Sequence, residues 1–267
     1  MNQEYLEFAK ELAYEAGKIM RKYFDQELTE SRYKLDDTIV TVADEEINQL
    51  VIERVRETYP EHGVWGEEDS FNEGANQLWV CDPIDGTAMF ARGIPMAMFS
   101  LAYVVEGEPL VGVAYDPFID RLYSATKGGG AFMNNKPIHV NEYKIGDKQE
   151  VSNFDFWPEA ELKLGRMMDA MNNKSSDFVG VGSVVQACMQ VARGAFVSEI
   201  FAGTKGKNVD IAAVKVIVEE AGGRVTNILG EDQRYDRDIY GAIVSNGVVH
   251  DGIVEIFREE MKRGRDE

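Results

Sequence analysis

Three apolar segments joined by short turns constrain the fold of this chain more than any other feature. Residues 98–105, 110–115 and 121–125 have the composition of buried strands, and Gly107 and Asp116 lie in the turns between them. Connections this short join antiparallel neighbours, whereas parallel strands need a long crossover. The sequence therefore predicts an antiparallel meander near the middle of the chain.

Helical patterns precede and follow this meander. Apolar residues recur every three or four positions over 2–24, and a second periodic set begins near Asp44 and stops at Pro60. A further helix is predicted over 210–221, because its apolar residues share one face and two glycines follow it. After about residue 145, helices predicted at 161–171 and 184–192 alternate with strands predicted at 179–181 and 196–201, as they do in α/β layers.

The change of pattern near residue 145 predicts two subdomains within one compact unit. Residues 1–145 would form an N-terminal α+β subdomain that carries most of the candidate ligands, and residues 146–267 a C-terminal α/β subdomain that completes the site. No low-complexity linker or internal repeat separates the two. The predicted fold class of the whole chain is α+β.

The charge of the chain excludes some classes of partner. Aspartate and glutamate number 47 against 28 lysine and arginine residues, a net charge of −19, which opposes a sequence-independent grip on nucleic-acid phosphates. The longest run without charged side chains, 178–192, is shorter than the roughly 20 apolar residues of a membrane helix. The two cysteines form no CxxC pair, and the N-terminus does not resemble a signal peptide. We therefore expect a cytoplasmic protein without nucleic-acid or membrane partners.

Carboxylates are expected to carry the chemistry, because the three histidines match no metal or nucleophile motif. Asp82 and Asp85 stand three positions apart after the apolar run 78–81. Two adjacent carboxylates repel unless a cation holds them, and oxygen ligands suit Mg²⁺. Gly86 and Thr87 follow, where backbone N–H groups would meet a phosphate. The alternative is that Asp-Pro and Asp-Gly only form turns.

Two more acidic residues lie near the ends of predicted elements. Glu67 follows a short apolar segment, and Asp210 opens the predicted helix over 210–221. Taken alone, Glu67 would belong to a solvated acidic loop and Asp210 would be a helix N-cap. Together with Asp82 and Asp85, they form a set of four carboxylates that resembles a phosphatase site.

The sequence resembles the inositol monophosphatase family of Mg²⁺-dependent, lithium-sensitive phosphatases. The resemblance implies a layered α-β-α-β-α fold of the inositol monophosphatase/fructose-1,6-bisphosphatase type, and it covers nearly the whole chain in the family's order. The matching motifs are Thr41-Val42-Ala43-Asp44, Gly66-Glu67-Glu68, Asp82-Pro83-Ile84-Asp85-Gly86-Thr87, Gly128-Gly129-Gly130-Ala131-Phe132 with Asn134-Asn135, and Val209-Asp210-Ile211-Ala212-Ala213 running into Glu220-Ala221-Gly222-Gly223.

The resemblance also implies the metal ligands. Glu67, Asp82 and the carbonyl of Ile84 would hold one Mg²⁺. Asp82, Asp85 and Asp210 would hold a second, so that Asp82 bridges the pair.

Catalytic roles follow from the same resemblance. Thr87, hydrogen-bonded to Asp44, would act with Glu67 to orient and deprotonate a water on the first metal for in-line attack on phosphorus. The second metal would stabilise the leaving alkoxide. Backbone N–H groups of Gly86 and Thr87 would hold phosphate oxygens.

The predicted substrate end of the site departs from the family pattern. Ser183 resembles the family's small hydroxyl position beside the substrate ring, although a helix N-cap explains it equally well. Lys205 and Lys207 would meet a second substrate phosphate, unless they belong to a solvated loop. The family's acidic residue for ring hydroxyls aligns with Phe201, which cannot accept a hydrogen bond, and Glu199 would replace it only in a different strand register.

The predicted function is Mg²⁺-dependent hydrolysis of a small sugar or polyol phosphate, with inositol monophosphate and fructose 1,6-bisphosphate as first candidates. Val209 resembles archaeal-type members that act on both. Histidinol phosphate and 3′-phosphoadenosine 5′-phosphate are alternatives, because relatives with the same metal motif hydrolyse them. A non-catalytic metal-binding regulator is the alternative of another class, and it would not need Thr87 beside Asp44. The resemblance further implies a homodimer.

Overall fold

Two large β-sheets and three helical layers alternate in the order α-β-α-β-α, and β1 and β2 form a separate two-stranded sheet. The predicted α+β class and the layered architecture are both confirmed. Among the residues that the structure describes, no helix combines the length and apolar composition needed to cross a membrane. The structure is a computed structural model that describes residues 2–24, 31–33, 39–148, 150–155, 164–173, 177–202 and 207–263.

The larger sheet contains the predicted meander. Its strands lie side by side in sequence order from β3 to β9, and every neighbouring pair is antiparallel except β3 with β4. The sheet is buried on both faces: Trp79 and Cys81 of β4 point into one core, and Leu78 and Val80 into the other. The strands are β3 (Gly63–Gly66), β4 (Gln77–Asp85), β5 (Met98–Val105), β6 (Glu108–Asp116), β7 (Arg121–Thr126), β8 (Ala131–Met133) and β9 (Lys136–Pro137).

Two N-terminal helices cover the outer face of this sheet. In α1 (Asn2–Tyr23) the buried residues recur at helical spacing, among them Leu12, Ala16 and Met20. In α2 (Val42–Thr58) the apolar face packs into the same core. Both helices were predicted from these periodicities. The short elements nearby are β1 (Ser31–Tyr33), β2 (Ile39–Thr41) and α3 (Thr87–Phe90).

The central layer consists of α5 (Val184–Ala192) and α6 (Asn208–Glu220). In α6, buried apolar residues lie on all sides, as expected for a helix packed between two sheets. Gly112 of β6 allows α6 to approach closely, because a Cβ atom there would lie 2.6 Å from the carbonyl oxygen of Ala213. At its end, Glu220 accepts hydrogen bonds from the N–H groups of Gly128 (2.6 Å) and Gly130 (2.8 Å).

The smaller sheet has the strand order β11-β10-β12-β14-β13, and helices α4 and α7 cover its outer face. Strand β10 is parallel to both β11 and β12, so the carboxyl ends of these three strands lie at one edge. The elements of this half are β10 (Val151–Asp155), α4 (Leu164–Asn172), β11 (Asp177–Val179), β12 (Ser198–Ala202), β13 (Arg224–Thr226), β14 (Gly241–Ser245) and α7 (His250–Arg263).

The C-terminal half differs most from the sequence prediction. Strand β10 was not predicted, because Ser152, Asn153 and Asp155 interrupt its apolar pattern. The strand expected over 179–181 lies at Asp177–Val179, and the one expected over 196–201 begins at Ser198. The predicted helix at 161–171 begins at Leu164 among the described residues. The subdomain boundary near residue 145 remains a prediction.

Candidate active site

Asp82 and Asp85 lie at the end of β4, where the strand pairing becomes irregular. Asp82 pairs with Ser100 and Asp85 with Met98, so three steps along β4 match two along β5. An extra residue of this kind forms a β-bulge, which bends the strand and redirects side chains. The Ile84 N–H donates to Asp82 Oδ1 at 3.0 Å. Both carboxylates are buried, and the Asp-Pro-Ile-Asp sequence thus forms a strand end rather than a simple surface turn.

Asp210 joins these two carboxylates from the other half of the chain. It lies in the first turn of α6 and is buried. One carboxylate oxygen from each of Asp82, Asp85 and Asp210 lies within 4.8 Å of the others. The structure therefore brings together three of the four carboxylates predicted as metal ligands.

The three buried carboxylates of Asp82, Asp85 and Asp210 form an aspartate cluster in which ionisation is disfavoured. Burial and the Glu67 carboxylate raise the pKa of Asp82 well above its ordinary value. Burial and Asp210 raise the pKa of Asp85 to about 7. Burial also raises the pKa of Asp210, although Lys207 opposes the shift. A cation bound among these groups would relieve their mutual repulsion.

The donor set fits a divalent metal ion. Neither carboxylate oxygen of Asp210 accepts a hydrogen bond from a described residue, although both are buried. A buried carboxylate is costly unless a cation compensates it, and the Lys207 ammonium, 3.6 Å from Asp210 Oδ2, brings one positive charge to three aspartates. The cluster offers only oxygen ligands, which are the ligands that Mg²⁺ prefers.

Glu67 lies at the edge of the aspartate cluster and outside the group of three. Its N–H donates to the Cys81 carbonyl at 3.1 Å, which fixes the Glu67 backbone beside β4. Asn48 of α2 supports this loop, since its Nδ2 donates to the carbonyl of Asp69 at 2.9 Å. The Glu67 carboxylate contributes to the raised pKa of Asp82 and of Asp44.

Asp44 and Thr87 form a hydrogen-bonded pair next to the aspartate cluster. Thr87 Oγ1 lies 3.0 Å from Asp44 Oδ1 and 2.8 Å from the carbonyl oxygen of Ile84. Asp44 also accepts a hydrogen bond from the N–H of Thr41 at 2.9 Å, which completes a capping box at the start of α2. Burial raises the pKa of Asp44 to about 7, helped by Glu67. A carboxylate with this pKa can accept a proton at neutral pH.

Gly86 makes the turn between β4 and α3. Its φ of +87° lies in the left-handed region, and a Cβ atom there would be 2.6 Å from the carbonyl oxygen of Met96. Only glycine fits such a turn without strain. The turn places the N–H groups of Gly86 and Thr87 at the start of a helix beside Asp85.

Ser183 acts as the N-cap of α5. Its hydroxyl accepts a hydrogen bond from the Gln186 N–H at 3.1 Å and donates to Asp85 Oδ2. Asp85 also accepts from the N–H groups of Val184 (3.1 Å) and Val185 (2.9 Å). Asp85 thus links the end of β4 to the first turn of α5. The N-cap interpretation describes the observed contacts of Ser183, and its role towards substrate stays a prediction.

Of the two lysines predicted to bind a second phosphate, Lys207 lies next to the aspartate cluster. Lys205 lies outside the described residues. The ammonium of Lys207 lies 3.6 Å from Asp210 Oδ2. Burial lowers the pKa of Lys207, but the surrounding carboxylates, Asp210 foremost, outweigh it and raise the pKa above its ordinary value. Lys207 therefore stays charged and partly neutralises the aspartate cluster.

Sequence reasoning named Glu199 but missed Asp155, the second acidic residue beside the aspartate cluster. Phe201 is fully buried in the core around α5 and α6. Glu199 lies two residues before Phe201 on β12, so both side chains point to the same face of the sheet. No shift of strand register is needed to bring Glu199 there. Asp155 of β10 pairs with Phe201. The interrupted apolar pattern of β10 is the sequence signal that could have revealed Asp155.

Comparison with known proteins places this chain among phosphatases. The inositol monophosphatase family matches residues 1–262. The fructose-1,6-bisphosphatase/inositol-1-monophosphatase of Thermotoga maritima is 32% identical over 227 residues, covering 84% of each chain. The histidinol-phosphatase of Chlorobaculum parvum is 32% identical over 252 residues, covering 91% of this chain and 93% of that protein.

A solved structure supports the same assignment. An IMPase/NADP phosphatase complexed with Mg²⁺ and phosphate has a TM-score of 0.82 against this chain at 27% sequence identity, with 95% of each chain covered. The two proteins are thus similar in sequence and in fold over nearly the whole length of both chains. This chain belongs to the inositol monophosphatase family and is a phosphatase.

Proposed function

We propose that this phosphatase is a Mg²⁺-dependent phosphomonoesterase that acts on a small sugar or polyol phosphate. The observation that carries the proposal is the aspartate cluster, whose oxygens lie within 4.8 Å of one another beside the Thr87–Asp44 pair. Inositol monophosphate and fructose 1,6-bisphosphate are the first candidate substrates, because a Thermotoga maritima relative is named for both activities.

The residues that would hold the metal are those of the aspartate cluster, with Glu67 and the carbonyl of Ile84. When bound, Mg²⁺ supplies Lewis-acid activation of water and neutralises charge on the phosphate and the leaving oxygen. The solved relative with Mg²⁺ and phosphate supports this choice of ion. The buried carboxylate oxygens of Asp210, which have no hydrogen-bond partner among the described residues, also support a bound cation.

Thr87 and Asp44 would move the proton of the attacking water. The Thr87 hydroxyl bridges Asp44 Oδ1 and the Ile84 carbonyl oxygen, so its orientation is fixed on two sides. Asp44, with a pKa of about 7, accepts a proton without being driven far from its resting state. Glu67, fixed beside β4 through its backbone, would orient the same water.

The phosphate would lie at the turn after β4. Backbone N–H groups of Gly86 and Thr87 would hold its oxygens, and Lys207, next to Asp210, would add a positive charge. Ser183 would contact the substrate beside Asp85, and Lys205 would meet a second phosphate where the substrate has one.

Three further properties belong to the proposal and rest on family membership. The protein would act in the cytoplasm, form a homodimer and be inhibited by lithium.

Histidinol phosphate is the second candidate substrate. The Chlorobaculum parvum relative named a histidinol-phosphatase is as similar in sequence as the Thermotoga maritima relative, at 32% identity. The metal ligands alone do not distinguish the two substrates, because they would hold a metal that binds the phosphate group common to both.

Phosphate release is the direct test of the proposed function. We expect Mg²⁺-dependent release from one preferred substrate among inositol 1-phosphate, fructose 1,6-bisphosphate, histidinol phosphate and 3′-phosphoadenosine 5′-phosphate, and none in EDTA. The rate would be measured by a phosphate-detection assay on folded protein, with Asp251→Asn on α7 as an active control. Release that persists unchanged in EDTA, or no release from any of the four esters with Mg²⁺, would contradict the proposal.

The metal-free protein is expected to lose stability as pH rises from about 4 to 7. Asp44 and Asp85 have folded-state pKa values of about 7, whereas ordinary aspartates ionise near pH 4. In this interval the folded state binds more protons than the unfolded state, so the free energy of unfolding falls by up to about 1.4 kcal/mol per pH unit for each group.

Urea unfolding in EDTA across this pH range measures the effect, and the same series in excess Mg²⁺ is the control. Metal binding to the ionised carboxylates should reduce the loss of stability above pH 6. A metal-free protein that becomes steadily more stable from pH 5 to pH 8 would show that these carboxylates do not resist ionisation.

A further inference from the structure

Four side chains on β10 and β12 share one face of the smaller sheet. The register pairs Asn153 with Glu199 and Asp155 with Phe201, and paired residues of parallel strands point to the same side. Phe201 packs in the core around α5 and α6, whereas Ile200 packs on the opposite side. Asn153, Asp155 and Glu199 therefore face the same central layer as the aspartate cluster.

Asn153 holds this polar group in one arrangement. Its Nδ2 donates to Asp155 Oδ2 at 2.9 Å and to Glu199 Oε2 at 2.5 Å, and its Oδ1 accepts from the Val181 N–H at 2.9 Å. Val181 lies just before Ser183, the N-cap of α5. The side chain of Asn153 thus fixes Asp155 relative to the segment that also contacts Asp85.

Glu199 carries a buried polar atom without a partner. Its side chain is fully buried, and its Oε1 has no hydrogen-bond partner among the described residues. Burial and the adjacent Asp155 raise the pKa of Glu199 well above its ordinary value. A buried polar group of this kind is costly to keep, so it calls for a specific role.

Asp155 lies on the side of the smaller sheet that faces the central layer. It is the last residue of β10, at the edge that holds the carboxyl ends of both strands. Burial raises the pKa of Asp155, the neighbouring Glu199 and Asn153 lower it, and the charges of Asp210 and Lys207 lie near enough to make smaller contributions. Asp155 also stands opposite Phe201, the position at which the resemblance leads one to expect an acidic residue.

We propose that Asp155 binds hydroxyl groups of the alcohol part of the substrate, and that Asn153 and Glu199 are positioning residues for it. The inference rests on the proposed function. It adds a residue that recognises the substrate, and this residue lies on β10 rather than on β12, where the family resemblance leads one to expect it. A fixed carboxylate accepts hydrogen bonds from two neighbouring hydroxyls, as a polyol phosphate offers. A site built for such bonds strongly disfavours an analogue that lacks hydroxyls.

The test compares a hydroxyl-rich ester with one that has no hydroxyl on its alcohol part. For Asp155→Asn and Asp155→Ala, we expect KM for inositol 1-phosphate or fructose 1,6-bisphosphate, whichever is cleaved faster, to rise about tenfold or more. The kcat/KM for phenyl phosphate should stay within about twofold, because the aspartate cluster and Thr87 are intact. Melting temperatures and Mg²⁺ titrations would show that each variant is folded and binds metal.

Glu199 offers a matched pair of variants for the positioning role. Glu199→Gln keeps the shape and an oxygen that can accept the hydrogen bond from Asn153, so selectivity for the polyol ester should stay close to that of the unchanged protein. Glu199→Ala removes the support of Asp155 and should raise KM for the polyol ester alone. Equal effects of Glu199→Gln and Glu199→Ala on the polyol ester would contradict this role.

The outcomes separate this inference from the proposed function. Cleavage of phenyl phosphate but of no polyol phosphate by the unchanged protein would overturn the inference and leave the phosphatase activity standing. Cleavage of neither would overturn the proposed function and the inference with it. An equal loss on both esters in the Asp155 variants, or no change on either, would overturn the inference alone.

Discussion

Replacing Asp210 by asparagine is expected to lower Mg²⁺-dependent turnover by about a thousandfold or more without weakening the fold. Asp210 supplies the carboxylate that completes the aspartate cluster, and asparagine keeps its shape but loses the charge that attracts the metal. Since burial raises the pKa of Asp210 despite Lys207, ionisation of this side chain costs stability in the metal-free protein. The metal-free variant should therefore be at least as stable as the unchanged protein at neutral pH.

Three measurements check this prediction: phosphate release, Mg²⁺ affinity by calorimetry, and thermal unfolding in EDTA. Asp251→Asn on α7 is the matched control, because this exposed carboxylate pairs only with Arg224 among the contacts described here. Activity of Asp210→Asn within tenfold of the unchanged enzyme would refute the assignment of Asp210 as a metal ligand. A large drop in melting temperature would show instead that its charge supports the fold.

Thr87→Val is expected to lower kcat by roughly 10²- to 10⁴-fold, the contribution typical of a positioned proton-transfer group. Valine has nearly the shape of threonine but offers no hydroxyl to Asp44 or to the Ile84 carbonyl. The aspartate cluster keeps all its carboxylates, so Mg²⁺ affinity should change little. Asp44 should also remain at the start of α2, because Thr41 still holds it.

Thr87→Ser is the control for this experiment, since it restores the hydroxyl and should recover most of kcat. A pH–rate profile adds a second readout, because the limb controlled by Asp44 should shift or disappear in Thr87→Val. If Thr87→Val kept kcat within threefold, the hydroxyl would have no part in proton transfer. Equal losses in Thr87→Val and Thr87→Ser would indicate a role in packing.

The sequence was most informative where chemistry and local structure coincide. Asp82 and Asp85 stand at the end of an apolar strand and are separated by three positions, so their proximity follows from local geometry. Asp210 was predicted as a metal ligand from the family resemblance, since its place at a helix start alone indicated an N-cap, and the layered fold brings it to the other two. The hydrogen bond between Thr87 and Asp44 spans 43 residues, and only the family resemblance pointed to it.

Features that depend on strand pairing were not predictable from one sequence. Strand β10 has polar residues on the face that meets α5 and α6, which hides its apolar alternation. The pairing of Asp155 with Phe201 arises because β10 and β12 are adjacent and parallel, and no local pattern encodes that adjacency. Likewise, the contact of Asp85 with the first turn of α5 joins residues about a hundred positions apart.

The two ends of α6 make different contacts that both depend on the length of the helix. The number of residues between them is therefore constrained during evolution. Asp210 near its start belongs to the aspartate cluster, and Glu220 at its end holds the glycine turn at Gly128 and Gly130. One inserted or deleted residue between them would rotate one end by about 100° relative to the other. Insertions and deletions in homologous chains are therefore expected to fall outside residues 208–220.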